Sequence, residues 1–145
     1  SKDSELKRVS STSWLLSMLG LSTIPLGLMD RADEKITSSR SQYSCDILVF
    51  DGVTLLAIDC TATAPKPNKV DKIKNTSDYL KLASKLTEVI PVIICGEDCP
   101  TVMVDARKRG VMVIDLNKIM EIYELLIVKG LKEKAVTLFH SLVKR

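Results

Sequence analysis

The stretch Asp46-Ile47-Leu48-Val49-Phe50-Asp51-Gly52-Val53-Thr54-Leu55-Leu56-Ala57-Ile58-Asp59-Cys60-Thr61 decides how this chain reads. Two β-rich apolar runs, Asp46 to Phe50 and Thr54 to Cys60, flank Asp51-Gly52, a pattern that predicts a β-hairpin. With Asp51 and Gly52 as the central turn residues, Phe50 pairs with Val53, Leu48 with Leu55 and Asp46 with Ala57. Side chains alternate across a sheet, so Ala57 and Asp59 share a face. Asp46 and Asp59 are therefore expected as diagonal neighbours on that face, about 7–8 Å apart at the backbone. A four-residue loop would keep the same parity. Two carboxylates that converge without an arginine between them repel, and each favours a cation or a raised pKa. Oxygen ligands of this kind suit Mg²⁺ or Mn²⁺.

Working outward, Ser4 to Leu19 reads as a helix, with Leu6, Val9, Trp14, Leu15 and Leu19 as its apolar stripe and Gly20 as its stop. Leu21 to Met29 reads as a short strand, and the polar, serine-rich Asp30 to Ser44 as a hairpin arm or exposed loop. After the hairpin, Ala62 to Asn68 carries Pro65 and Pro67 and reads as a loop. Lys69 or Val70 to Leu86 is an amphipathic helix, with Val70, Ile73, Leu80, Ala83 and Leu86 inward and the lysines outward. Val89 to Cys95 is a continuous apolar run, the signature of a buried strand. Pro100 to Arg109 suits a helix opened by proline and stopped at Gly110. Val111 to Ile114 is a short buried strand, and Asn117 to Val128 and Leu131 to Val143 are two helices broken at Gly130. This order implies an α/β fold, a mixed sheet flanked by helices.

The 145 residues are 46% hydrophobic and 27% charged, in keeping with one soluble globular domain. Runs such as Leu125 to Val128 are too short to span a bilayer, and no signal-peptide pattern is visible, so a cytoplasmic protein with no membrane partner is expected. The four cysteines lie in or beside apolar runs, where free thiols behave as small buried hydrophobes. The net charge of +3 does not by itself point to nucleic acid. Its distribution says more: Lys66, Lys69, Lys72 and Lys74 form one basic knot, and Arg107, Lys108 and Arg109 a second. His140, the only histidine, sits among apolar residues of the last helix, where a surface or packing role is expected.

The order helix, Asp46-bearing strand, Asp-Gly turn, Asp59-Cys60-Thr61 and lysine-rich loop and helix resembles the PD-(D/E)XK nuclease superfamily, over roughly Glu5 to Asp115. The resemblance implies a restriction-endonuclease-like three-layer α/β/α domain over residues 1–116, with the hairpin carrying the site and residues 117–145 packed on it as a helical pair. It implies Asp46 and Asp59 as metal ligands and catalytic acids, and Glu5 as an additional metal-binding acid. The chain departs from the family at Thr61, which stands where the motif has lysine, so a neutral hydroxyl replaces the expected ammonium. Lys69 and Lys72, ahead of Lys66, are the expected substitutes; otherwise the site is degenerate. Lys66, Lys69, Lys72 and Lys74 are the expected nucleic-acid contacts.

Three readings follow. One is a Mg²⁺- or Mn²⁺-dependent nuclease cleaving DNA or RNA phosphodiesters. Another is a non-catalytic nucleic-acid-binding module on the same fold. The third is a protein-interaction domain whose last two helices pack a partner or a second copy as a homodimer. A multidomain parent protein stands as the alternative to the homodimer, a choice the residues leave open.

Overall fold

The computed structural model describes residues 2–27, 45–86 and 88–144, with side chains from residue 7 onward. Helix α1 (Lys2–Met18) leads to strand β1 (Ser22–Ile24), and the hairpin strands are β2 (Ile47–Phe50) and β3 (Leu55–Thr61). Then follow α2 (Pro67–Ser84), β4 (Val89–Cys95), α3 (Pro100–Lys108), β5 (Met112–Asp115) and α4 (Leu116–Tyr123). Helix α4 runs on through a π-helical turn (Glu124–Val128), and α5 (Lys132–Val143) closes the chain. The strand expected over Leu21 to Met29 shrinks to β1, since Pro25 ends it and Leu26 and Gly27 are helical, and Leu28 and Met29, with the loop after them, lie outside the described residues.

The five strands form one sheet in the order β1-β2-β3-β4-β5. β2 pairs antiparallel with both β1 and β3, whereas β3, β4 and β5 run parallel. The protein is thus α/β with a mixed sheet and helices on both faces. Period-two alternation sorts the side chains. Ile47, Val49, Leu56, Ile58, Val92 and Ile114 pack on one face against α1, α4 and α5, through Leu16, Ile122 and Phe139 among others. Ala57, Ile93, Cys95 and Val113 pack on the other face, against Val70 and Ile73 of α2 and Ala106 of α3. Strand β4 is buried along its whole length, because helices cover it on both sides.

Two packing expectations need correction. Trp14 was placed on the inward stripe of the first helix but is 51% exposed, because Val9, Leu15, Leu16 and Leu19 turn a different side of α1 to the sheet. Ala83 was also placed inward, yet it is exposed in the final turn of α2. That helix begins at Pro67, inside the expected loop, since proline fits a first helical position.

The hairpin turn is longer than the Asp-Gly pair alone suggests. Phe50 pairs with Leu55, so Asp51 to Thr54 form a four-residue loop. The Asp51 carboxylate accepts from the amides of Val53 and Thr54, at 2.9 and 2.6 Å, and draws both into the loop. Burial works against ionisation of Asp51, but the Thr54 and Val53 donors outweigh it and hold the carboxyl below its ordinary range. Gly52 sits at φ +100° with nothing among the described residues within 4 Å of where a Cβ would lie, so backbone conformation sets the penalty for a side chain. Gly52→Ala is expected to destabilise the fold by about 1–2 kcal/mol in urea unfolding, with an unchanged m-value.

Candidate functional site

The four-residue loop moves the hairpin register by two. Leu48 stands opposite Ala57 rather than Leu55, and Ile47 opposite Ile58. Continued one step, this register sets Asp46 directly across from Asp59 instead of diagonal to it. Both carboxylates remain on the face that α2 covers, as parity requires.

Asp46 lies just before β2, and side chains take over there from the regular ladder. Its backbone N–H donates to Asp59 Oδ1 at 3.1 Å and to the Ile58 carbonyl at 2.9 Å. The Cys60 N–H in turn donates to Asp46 Oδ2 at 2.8 Å. The two aspartates are thus cross-tied through each other's strands, and one oxygen of each is committed to that tie. Asp46 is further anchored by its carbonyl, which accepts from the Gly27 N–H at 2.8 Å.

Asp59 is 2% exposed, and its Oδ2 is enclosed with no hydrogen-bond partner among the described residues. An ionised carboxylate oxygen in that position lacks both water and a donor. Burial, and after it the charge of Asp46, push the Asp59 carboxyl up to about 6, against the pull of Lys69 and Lys72. Neighbouring thiols feel the same environment. Burial and the Asp59 and Asp46 charges raise Cys45 to about 12, and burial with the same two carboxylates raises Cys60 as well.

The four lysines of the first basic knot do different things. Lys69 and Lys72 are half-buried on α2, and both of their charges reach Asp59. Lys66 is exposed, and Lys74 is tied to Asp78 at 3.1 Å. The helical period explains the division, because Val70 and Ile73 point into the sheet and carry their neighbours Lys69 and Lys72 along its shoulder. Thr61 ends β3 on the Asp59 face, half-exposed. Glu5 lies in α1, and its side chain falls outside the described residues.

The second basic knot is partly spent on structure, because Arg109 pairs with Asp71 at 2.6 Å and fastens the end of α3 to α2. His140 is exposed on α5, edge-on to Phe139 with ring centroids 6.1 Å apart. Two further acids share the strand-end edge of the sheet, Asp98 in a segment whose place after a buried strand is legible in sequence and Asp115, which sequence reasoning passed over. Asp98 follows β4 and Asp115 ends β5, and a hydrogen bond that protonated Asp98 donates to the Asp115 carboxylate, then the Asp115 charge, raise the Asp98 carboxyl. Their common signal is position: both lie at the C-terminal ends of buried parallel strands, the edge where open α/β sheets bind ligands. Asp115 also caps α4, accepting from the Lys118 N–H at 3.0 Å.

Among the described residues, no three His, Cys, Asp or Glu side chains converge to hold a metal by themselves. The Asp46–Asp59 pair supplies two carboxylates, which matches the way Mg²⁺ is commonly bound, through one or two carboxylates with waters and phosphate oxygens completing the shell. Among the described residues no helix is long and apolar enough to cross a membrane. Comparison with protein-family models, curated proteins and solved structures finds no match to this chain.

Proposed function

We propose that this chain is a metal-dependent nuclease-like domain of the PD-(D/E)XK type, acting on or binding nucleic-acid phosphodiesters. The observation that carries this reading is the unpartnered Asp59 Oδ2, buried opposite a second carboxylate and beside two lysines. A packing role would leave such an oxygen satisfied; a cation site leaves it free. Asp46 and Asp59 would hold Mg²⁺ or Mn²⁺ through Asp59 Oδ2 and the Asp46 carboxylate. When bound, the metal supplies charge neutralisation on a phosphate and a lowered pKa for a ligated water. Lys69 and Lys72 take over the electrostatic task that Thr61 cannot perform, holding positive charge where phosphate charge accumulates.

Thr61 specifically favours a second reading, in which the fold binds nucleic acid without cleaving it. Lys66, Lys69 and Lys72 then contact phosphates, and affinity falls steeply with salt.

The two readings separate in one experiment: calorimetric titration with Mn²⁺, paired with cleavage assays on single- and double-stranded DNA and RNA. The native chain is expected to bind the metal and to cleave, and Asp59→Ala to lose the binding heat and at least 100-fold in rate. Metal binding without cleavage selects the non-catalytic form. Absence of any heat above dilution rejects a metal site at the hairpin.

A further inference from the structure

On the opposite face of the sheet, a groove of about 760 Å³ runs between α1 and α4. Lys7, Arg8, Trp14, Leu116, Met120 and Tyr123 are among its lining residues. Three features of it are unusual together. First, its described lining includes two cations and no carboxylate. Second, Arg8 Nη1 is enclosed and has no hydrogen-bond partner among the described residues. Third, two aromatic side chains are left uncovered, Trp14 at 51% and Tyr123 at 38% exposure.

An occupant that satisfies all three must bring anionic acceptors to Lys7 and Arg8 and flat apolar faces to Trp14 and Tyr123. A nucleic-acid strand with unpaired bases has both, its phosphates repeating alongside bases free to stack. A duplex offers the phosphates but keeps its bases stacked on each other, out of reach of side chains in a groove. We infer that the α1–α4 groove binds single-stranded nucleic acid by stacking bases on Trp14 and Tyr123 while Lys7 and Arg8 hold the phosphates.

The groove and the hairpin site lie on opposite faces of β3. The Thr12 hydroxyl, also in the groove's lining, lies within hydrogen-bonding reach of the Cys60 thiol, and Cys60 is next to Asp59 on β3. Helix α4 is capped by Asp115, on the strand-end edge that Asp59 also approaches. A flexible strand leaving the groove would have to cross that edge to reach the Asp59 face of the sheet. The inference deepens the proposed function, on which it rests, by naming an unpaired strand as the substrate class.

Trp14 is the only tryptophan, so its fluorescence reports the groove alone. Titration of the full chain with oligothymidylate of about 16 nucleotides is expected to quench Trp14, with a duplex of equal length much weaker at the same salt. Tyr123→Leu, which keeps the apolar bulk, should weaken binding of the single strand about tenfold. Arg8→Ala should lower the slope of log K against log salt by about 1. Circular dichroism of each variant shows whether it is folded. The inference is overturned by an absence of quenching, by equal response to duplex, or by unchanged affinity in folded Tyr123→Leu. A Trp14 shift driven by protein concentration alone also overturns it, by assigning the groove to a second copy. Oligothymidylate binding that persists without any Mn²⁺ heat supports the groove and removes the metal reading, and the converse result removes the groove alone.

Discussion

Asp59→Asn is expected to be more stable than the native chain at about pH 8, by roughly 3 kcal/mol, and to bind no divalent metal. The reason is the sign of the Asp59 shift. Its carboxyl is raised from 3.8 to about 6 by burial and the Asp46 charge, so the folded state holds a proton that the unfolded chain has released. Stability from this group is therefore full below pH 3.8, and it is lost as pH rises through about 6. Above that the fold carries an ionised, buried carboxylate beside another carboxylate. Asparagine removes the charge, keeps an oxygen for the Asp46 N–H and adds an amide donor that can face Asp46. Calorimetric melting across pH 4–8 should show a gain of roughly 6–12 °C at the alkaline end, shrinking toward nothing at the acid end.

Metal works in the opposite direction. A divalent ion that binds only the folded native chain stabilises it by mass action, by about 2.7 kcal/mol at a hundredfold excess over Kd. The variant has no such response, so the stability difference between the two chains should narrow on adding Mg²⁺. A variant less stable than the native chain at every pH would mean that ionised Asp59 is already satisfied, and the argument for a cation would fall. The expected pattern is the familiar conflict between a site and its fold, in which the groups most useful for binding are the least comfortable unoccupied.

The two aspartates could be paired from sequence because parity survives an error of two in register. The Asp-Gly pair suggests a two-residue turn, but the Asp51 carboxylate captures the amides of Val53 and Thr54 and builds a four-residue loop. The shift leaves Asp46 and Asp59 on one face and brings them closer. Separating Lys69 and Lys72 from Lys66 and Lys74 was partly legible, since Val70 and Ile73 fix which side of α2 meets the sheet. The pairing of Lys74 with Asp78 was open to an i,i+4 reading that the basic run obscured. Trp14 misled because a large apolar side chain at helical spacing is ordinarily core, and only the packing of α1 shows that side uncovered. The Asp98–Asp115 contact joins residues 17 positions apart and depends on β4 and β5 being parallel neighbours, which local pattern does not encode.

Gly96→Ala is expected to do the greatest damage to the fold for the smallest change in chemistry. A methyl at this position would overlap the Ala62 carbonyl oxygen and crowd the Ala62 carbonyl carbon at 3.0 Å. Both are backbone atoms, so no rotamer change relieves the overlap, and the ends of β3 and β4 must separate. They are joined there by the Gly96 N–H donating to the Thr61 carbonyl at 3.0 Å. Overpacking a close-fitted site commonly costs about 1–3 kcal/mol, and here the upper end or beyond is expected because backbone has to move. Urea unfolding should show a loss of about 3 kcal/mol or more, against about 1–2 kcal/mol for Gly52→Ala, whose turn has open space around it. The consequence extends past stability. Thr61 lies two residues from Asp59, so moving the strand end shifts one wall of the carboxylate pair, and Mn²⁺ affinity should fall even under conditions where Gly96→Ala remains folded. A variant with native stability would show that β3 and β4 do not approach this closely at their ends, and one that is weakened but binds Mn²⁺ normally would separate the strand junction from the site.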